Sequence, residues 1–257
     1  HVGEEHCAVR ERVALFDQSS FAKFRIIGID AGKALSRICS NNVAKPPGTL
    51  TYTQLLNSKG GIECDLTVAR LAEDEFYLVS GTGFRTHDAA WIRSQFHSDE
   101  NVDLQDITED WATFSLMGPL AREVLGQVTE SNLENDHFPF GTCHTIEIKT
   151  QSAGNTLSVL ALRLTYVGEL GWERHMPCDS AEKIYDVLMK AGTDLGITNA
   201  GYRAIESLRL EKGYRAWSTD ITADTTPFEA GLGWAVKLNS STEFVGREAL
   251  SSQKKRP

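Results

Sequence analysis

Two carboxylates set among glycines and aromatics are the residues of this chain best suited to chemistry. Asp65 lies in NSKGGIECDLTVAR (Asn57 to Arg70) and Glu173 closes YVGELGWE (Tyr166 to Glu173). The Gly60-Gly61 pair allows a tight turn because glycine tolerates positive φ, and the turn delivers Asp65 on the outgoing strand. A short carboxylate on a rigid strand acts at one fixed atom; its plain counterpart is a strand-edge aspartate making ordinary hydrogen bonds. Thr67 projects to the same strand face as Asp65. Tyr52, upstream of the turn, could line the same wall, although core packing is the commoner fate of a lone aromatic. Glu173 suits a different task. One carboxylate can accept two adjacent N–H donors of a flat, polar heterocycle as a forked, charge-assisted pair, with Tyr166 and Trp172 as neighbours. Edge-strand salt bridging is the ordinary alternative. Glu169, in a Gly-flanked turn, reads as solvent-exposed. A third stretch, Thr226 to Leu250, again sets a carboxylate beside glycines and aromatics.

Arg203, Arg209, Lys212 and Arg215 concentrate positive charge in one helix and its exit, next to Tyr214. Such a patch would hold a polyanionic tail, and a helix surface laced with Glu206 and Glu211 explains it equally well. GTGFRT (Gly81 to Thr86) lacks the third glycine of a dinucleotide fingerprint. The seven histidines show no metal-ligand spacing, so no metal is expected, and neither a GxSxG nor a P-loop occurs.

The elements that must position these residues follow from pattern. A helix is expected over Glu4 to Leu15. Then come a strand (Ala22 to Ile27), Gly28, a helix (Ala31 to Ser40), strands (Leu50 to Asn57, Gly61 to Leu71, Glu75 to Ser80) and a helix (Thr86 to Phe96). The same order recurs: strand (Thr113 to Met117), Gly118, helix (Leu120 to Val128), strands (His144 to Thr150, Leu157 to Tyr166, Gly171 to Met176) and helix (Ser180 to Ala191). Gly201 to Tyr214 reads as one more helix. Strands clustered between helices favour antiparallel sheets with helices on their faces, an α+β fold. The reading is one domain over 1–257 with pseudo-repeats at about 21–97 and 111–192 and a closing segment at 199–250. Two halves facing each other would leave a cleft where their motifs meet.

The bulk properties exclude several classes. A balance of 26 basic against 35 acidic residues, net −9, argues against a general nucleic-acid or anionic-membrane binder. Five cysteines without CxxC signal neither a disulfide framework nor a zinc knuckle, and point to a reducing compartment. No apolar run approaches the ~20 residues of a membrane span, and the N-terminus lacks a signal-peptide profile. The sequon at Asn239 to Ser241 reads as accidental. The start at His1 and the end in SSQKKRP read as a piece of a longer chain.

At their order and spacing, the three motifs resemble the tetrahydrofolate-binding domain of the aminomethyltransferase family, the T-protein of the glycine cleavage system. RERVALFD (Arg10 to Asp17), Pro46 to Leu71, TNAGYRA (Thr198 to Ala204) and EKGYRAW (Glu211 to Trp217) are more narrowly similar to the folate module of sarcosine dehydrogenases, with dimethylglycine dehydrogenases more distant. The resemblance implies the T-protein folate-binding fold without its C-terminal barrel, with a flavin-binding portion upstream in a parent enzyme. It implies tetrahydrofolate as ligand, FAD in that upstream portion, and electron-transfer flavoprotein as the parent's partner, with no nucleic acid or membrane. The location implied is the mitochondrial matrix in a eukaryote or the cytoplasm in a bacterium. By the same resemblance Asp65 is catalytic, beside the reacting folate nitrogens, with Cys64 where the family has a second aspartate. Tyr52, Thr67, Tyr166, Trp172, Glu173, Arg203 and Tyr214 bind folate, and Glu173 reads the pterin. The family's tail-binding arginine falls on Ile205, which cannot hold an anion, so either Arg203 takes that role or no residue does. The implied activity transfers the one-carbon unit of oxidised N-methylglycine to tetrahydrofolate, giving methylenetetrahydrofolate and glycine. A regulatory domain like that of a pyruvate dehydrogenase phosphatase subunit and a flavin-free aminomethyltransferase or demethylase are the alternatives.

Overall fold

The computed structural model describes residues 1–150 and 154–255. In chain order its elements are α1 (Val2–Glu11), β1 (Ala14–Asp17), β2 (Ala22–Ile27), α2 (Ala31–Ile38), β3 (Leu50–Leu56), β4 (Ile62–Arg70), β5 (Glu75–Ser80), α3 (Arg85–Ser94) and β6 (Asp103–Asp106). There follow β7 (Trp111–Met117), α4 (Ala121–Val128), β8 (Cys143–Lys149), β9 (Thr156–Leu162), β10 (Gly171–Pro177), α5 (Cys178–Ala191), β11 (Thr198–Asn199), α6 (Tyr202–Glu211) and α7 (Arg247–Lys254). The chain divides into two compact units. The first takes His1–Ser20 and Thr108–Tyr214; the second takes Phe21–Ile107 and the chain from Arg215 onward. Each expected pseudo-repeat lies within one unit, whereas the closing segment divides between Tyr214 and Arg215.

Each unit carries one sheet, and the two sheets are wired alike. The second unit's order is β3-β4-β5-β2-β6, and the first unit's is β8-β9-β10-β7-β1-β11 when read from β8. The helices after the leading strands match as well. Ala31, Ala34, Leu35 and Ile38 are the buried face of α2, and Ala121, Val124, Leu125 and Val128 that of α4. Both follow the i, i+3, i+4, i+7 spacing of an amphipathic helix, and burying a Leu or Ile on such a face contributes about 1.5–3 kcal/mol. α2 packs with Phe24, Leu66, Val68, Phe76 and Leu78; α4 and α5 pack with Phe114, Leu116, Trp172 and Met176.

Gly28 and Gly118 make the two strand-to-helix turns equivalent. Their φ angles are 132° and 135°, and a Cβ would lie 2.2 Å from Asn101 O and 2.4 Å from Arg12 O respectively. Only glycine fits either position.

Three expectations are corrected. The opening helix ends at Glu11, because Ala14 to Asp17 pair antiparallel with β7 and Ala14 and Leu15 parallel with β11; distant partners override local helix pattern. That parallel pair is also the exception to an otherwise antiparallel pairing among the described strands. The strand expected to reach Tyr166 stops at Leu162: Thr165 Oγ1 accepts from the backbone N–H groups of Val167, Gly168 and Glu169, folding the segment into a turn. β6 and β11 add to the expected strands; at four and two residues they are too short to show a period. Among the described residues no helix is long and apolar enough to cross a membrane.

Candidate functional site

In the second unit, β3 and β4 place four of the relevant side chains on one face. The register sets Tyr52 opposite Thr67 and Gln54 opposite Asp65, while Cys64, Leu66 and Val68 alternate into the core behind. Asp65 Oδ1 accepts from Gln54 Nε2 at 3.0 Å, and Tyr52 also hydrogen-bonds the carboxylate. Burial pushes the Asp65 carboxyl up to about 6; the Gln54 and Tyr52 hydrogen bonds oppose that rise, and the Asp88 charge adds to it. Gln54 Oε1 is buried with no partner. Sequence reasoning missed Gln54, although it shares a strand face with Tyr52 at period 2. Trp234 was missed too: it is 71% exposed and stacks on Tyr52 with ring centroids 5.7 Å apart. The turn before Asp65 is held by Asn57, whose Oδ1 accepts from Gly61 N and Lys59 N and whose Nδ2 donates to Glu63 Oε1.

In the first unit, Glu173 sits on β10 directly opposite Ser115 of β7 and is 6% exposed. His175, on the same face, has Nε2 3.5 Å from Glu173 Oε2 and shares a 2.9 Å hydrogen bond between its Nδ1 and Thr113 Oγ1. Ser115 Oγ donates to Gln18 Oε1 beside them. Arg174, behind Glu173 in the strand, is fully buried and donates to Phe114 O at 2.9 Å; burial lowers its pKa to about 9 and the Glu173 charge partly restores it. Tyr166 and Tyr214 stack at 6.0 Å with planes 18° apart, both half-buried. This unit therefore groups the expected Tyr166 and Tyr214, and separately seats Glu173 in a buried polar row.

Other expected residues are placed differently. Trp172 is 0% exposed and packs in the helix-covered core with Phe138 at 6.0 Å, on the face of β10 opposite Glu173. Neighbouring strand residues point to opposite faces, so Trp172 supports the sheet and lines no wall with Glu173. Arg209 is buried, donating to Tyr214 O and Glu206, so it leaves the expected basic patch. Arg203 and Lys212 remain exposed on the first unit, and Arg215 belongs to the second. Ile205 is core. Glu169 is not a solvated side chain: Arg10 Nη1 donates to its Oε1 at 3.0 Å and to Val167 O, and Arg10 also grips Glu211.

Comparison with known proteins places this architecture. The model of the GCVT N-terminal domain matches residues 1–240. Mitochondrial sarcosine dehydrogenase of Mus musculus is 41% identical over 269 residues, which is 99% of this chain and 29% of that protein. The chain thus spans under a third of the dehydrogenase it matches. The aminomethyltransferase of Halothermothrix orenii is 36% identical over 98% of this chain and 68% of its own length. The crystal structure of glycine cleavage system aminomethyltransferase T from Bartonella henselae matches 100% of this chain and 67% of its own with a TM-score of 0.84 at 31% identity. The α+β fold, the twin sheets and the full-length match have one reading: this chain belongs to the GCVT N-terminal domain family, a family of tetrahydrofolate-binding domains.

Proposed function

We propose that this chain is the tetrahydrofolate-binding part of a sarcosine dehydrogenase-like enzyme. In this reading a flavin-binding portion of the parent protein oxidises N-methylglycine to an iminium, and the chain directs the one-carbon unit to folate rather than to water. The products are methylenetetrahydrofolate and glycine. Tetrahydrofolate, when bound, supplies the nucleophilic nitrogen that takes up the carbon. The single observation that carries the proposal is Asp65 with Gln54: a half-buried carboxylate raised to about 6, next to a buried amide oxygen with no partner. An unpaired buried acceptor costs about 1–3 kcal/mol unless an N–H donor reaches it, which fits a nitrogen-rich ring.

Asp65 takes the proton that leaves the attacking nitrogen. A carboxylate with a pKa near 6 is ionised at neutral pH and is a stronger base than an ordinary aspartate. Tyr52 and Gln54 fix its orientation, and Trp234 extends the Tyr52 wall. Glu173 holds the pterin through paired N–H donors, with His175 and Thr113 keeping its strand face polar. On the second unit Thr67 extends the Asp65 face; on the first, Tyr166 and Tyr214 offer a stacked pair for folate, and Arg203 with Lys212 meets the anionic tail. Water exclusion matters because a free iminium hydrolyses to formaldehyde. The mitochondrial matrix fits the names of the dehydrogenase relatives, and electron-transfer flavoprotein is the parent's proposed electron acceptor.

The test is calorimetric titration with tetrahydrofolate of the wild type, Glu173→Ala and Asp65→Ala. The expected result is a large loss of affinity for the first variant and a smaller one for the second. Undetectable binding by all three counts against the folate reading. A flavin-binding region encoded upstream in the natural reading frame supports the dehydrogenase assignment.

A further inference from the structure

We propose that Cys64, His87 and Asp88 form a binding site for a divalent metal ion of the zinc class, at the junction of β4 and α3 in the second unit. One ligand atom from each residue lies within 4.8 Å of the other two. Tetrahedral zinc, with bonds of about 2.0–2.3 Å, sets its ligand atoms roughly 3.4–3.8 Å apart. A contraction of about 1 Å therefore closes the site, well within the reach of side-chain rotation.

The surroundings are those of a metal-binding histidine. His87 Nδ1 is 3.0 Å from Asp88 Oδ1, on the inner side, while its Nε2 faces Glu63 Oε2 at 3.5 Å. Glu63 is itself anchored, its Oε1 accepting from Asn57 Nδ2 at 2.9 Å. A ligating imidazole characteristically donates its second N–H to such a tethered carboxylate, which fixes its tautomer and orientation. The Trp217 ring lies 5.9 Å from the imidazole, and its Nε1 donates to Ile62 O at 2.8 Å, bracing the ring from the outer side. Cys64 and Asp88 are 1% and 2% exposed, whereas the His87 side chain is 43% exposed, so the histidine edge gives an ion its path from solvent.

Two other uses of these residues fit less well. A cysteine nucleophile needs the imidazole between thiol and carboxylate as its base. Here the Cys64 thiol lies beside the Asp88 carboxylate, and His87 Nδ1 contacts that same carboxylate rather than the thiol. A simple histidine–carboxylate ion pair uses the buried thiol for core packing alone. A sulfur, nitrogen and oxygen set selects zinc-class ions over magnesium and calcium, which take oxygen ligands. On binding, the thiol releases its proton to solvent and the metal–sulfur bond replaces the S–H bond. The dication then neutralises one thiolate and one carboxylate. The site stands independently of the folate reading.

The experiment titrates the full chain, stripped with chelator under reducing conditions, with Co2+ and then with Zn2+. One Co2+ per chain is expected, with a near-ultraviolet thiolate-to-cobalt charge-transfer band that Zn2+ abolishes. Cys64→Ser should remove the band, and both it and His87→Ala should weaken binding by at least about 100-fold, while Glu63→Gln weakens it about 10-fold through the outer carboxylate. His87→Ala changes an exposed side chain, and circular dichroism checks that it stays folded. A wild type without the band, or a folded His87→Ala and Cys64→Ser pair binding Co2+ as tightly as wild type, overturns the proposal.

Discussion

Gln54 donates from Nε2 to Asp65 Oδ1 at 3.0 Å across the β3–β4 pair, and its own Oε1 is buried without a partner. One amide thus restrains the carboxylate and presents a second, unfilled acceptor beside it. Replacing Gln54 with Met keeps the volume and removes both functions. Tetrahydrofolate affinity is expected to fall about 10-fold, the worth of one net hydrogen bond. Isothermal titration calorimetry measures it, and unchanged affinity would show that the amide oxygen meets no ligand.

The raised carboxyl of Asp65 makes fold stability depend on pH. Its pKa is about 6 in the folded chain against 3.8 as its ordinary value. Between those values the native state holds more protons than the unfolded one, so this residue's contribution is full below about pH 4 and is lost as pH rises through 6. Asp65→Asn, neutral throughout, should be more stable than wild type by about 1–2 kcal/mol at pH 7. The advantage should vanish near pH 4. Urea unfolding of metal-free protein across this range gives the answer, and a pH-independent difference would contradict the assignment.

Trp172 lies in the core and Glu173 in the polar row, so their substitutions should separate stability from binding. Trp172→Ala is expected to cost about 3–5 kcal/mol of stability through the cavity it leaves. The folded fraction should keep the wild-type tetrahydrofolate affinity within a few-fold. A loss of affinity as large as that of Glu173→Ala in still-folded protein would return Trp172 to the binding wall.

Gly28→Ala and Gly118→Ala test whether the two turns are physically equivalent. Each substitution meets positive φ and a carbonyl oxygen closer than 2.5 Å to the new methyl. Each should destabilise by about 2–4 kcal/mol, since strain and overpacking add. Thermal melts of the two variants should agree within about 1 kcal/mol; a tolerated alanine at either turn would break the equivalence.

Much of this fold is legible in the sequence because its strongest elements rest on local patterns. β2 and β5 have the bounds read from their strand pattern, and α2 and α4 declare themselves by apolar spacing. β1 reads locally as helix because what makes it a strand is a partner in β7, far along the chain. At the candidate site, the Asp65 and Thr67 face follows from period 2, and the same rule applied to β10 turns Trp172 away from Glu173. Burial by tertiary packing, which removes Arg209 from the surface, leaves no mark in residue type alone. The Cys64, His87 and Asp88 cluster is equally hidden, since β4 contributes Cys64, α3 contributes the adjacent His87 and Asp88, and no short spacing joins the cysteine to that pair.

The first unit is assembled from the opening twenty residues and a stretch that starts only at Thr108. A nascent chain leaving the ribosome therefore carries Val13 to Phe16, all buried in the finished protein, without their sheet until β7 has been made. At about 5–20 residues per second that delay lasts roughly 5–20 s. Phe21 to Ile107 emerges over the same interval, while the rest of the second unit, from Arg215 onward, follows only after Tyr214. During synthesis the apolar ribbon from Val13 to Phe16 thus waits for its partner strand, a ready substrate for chaperones until β7 arrives.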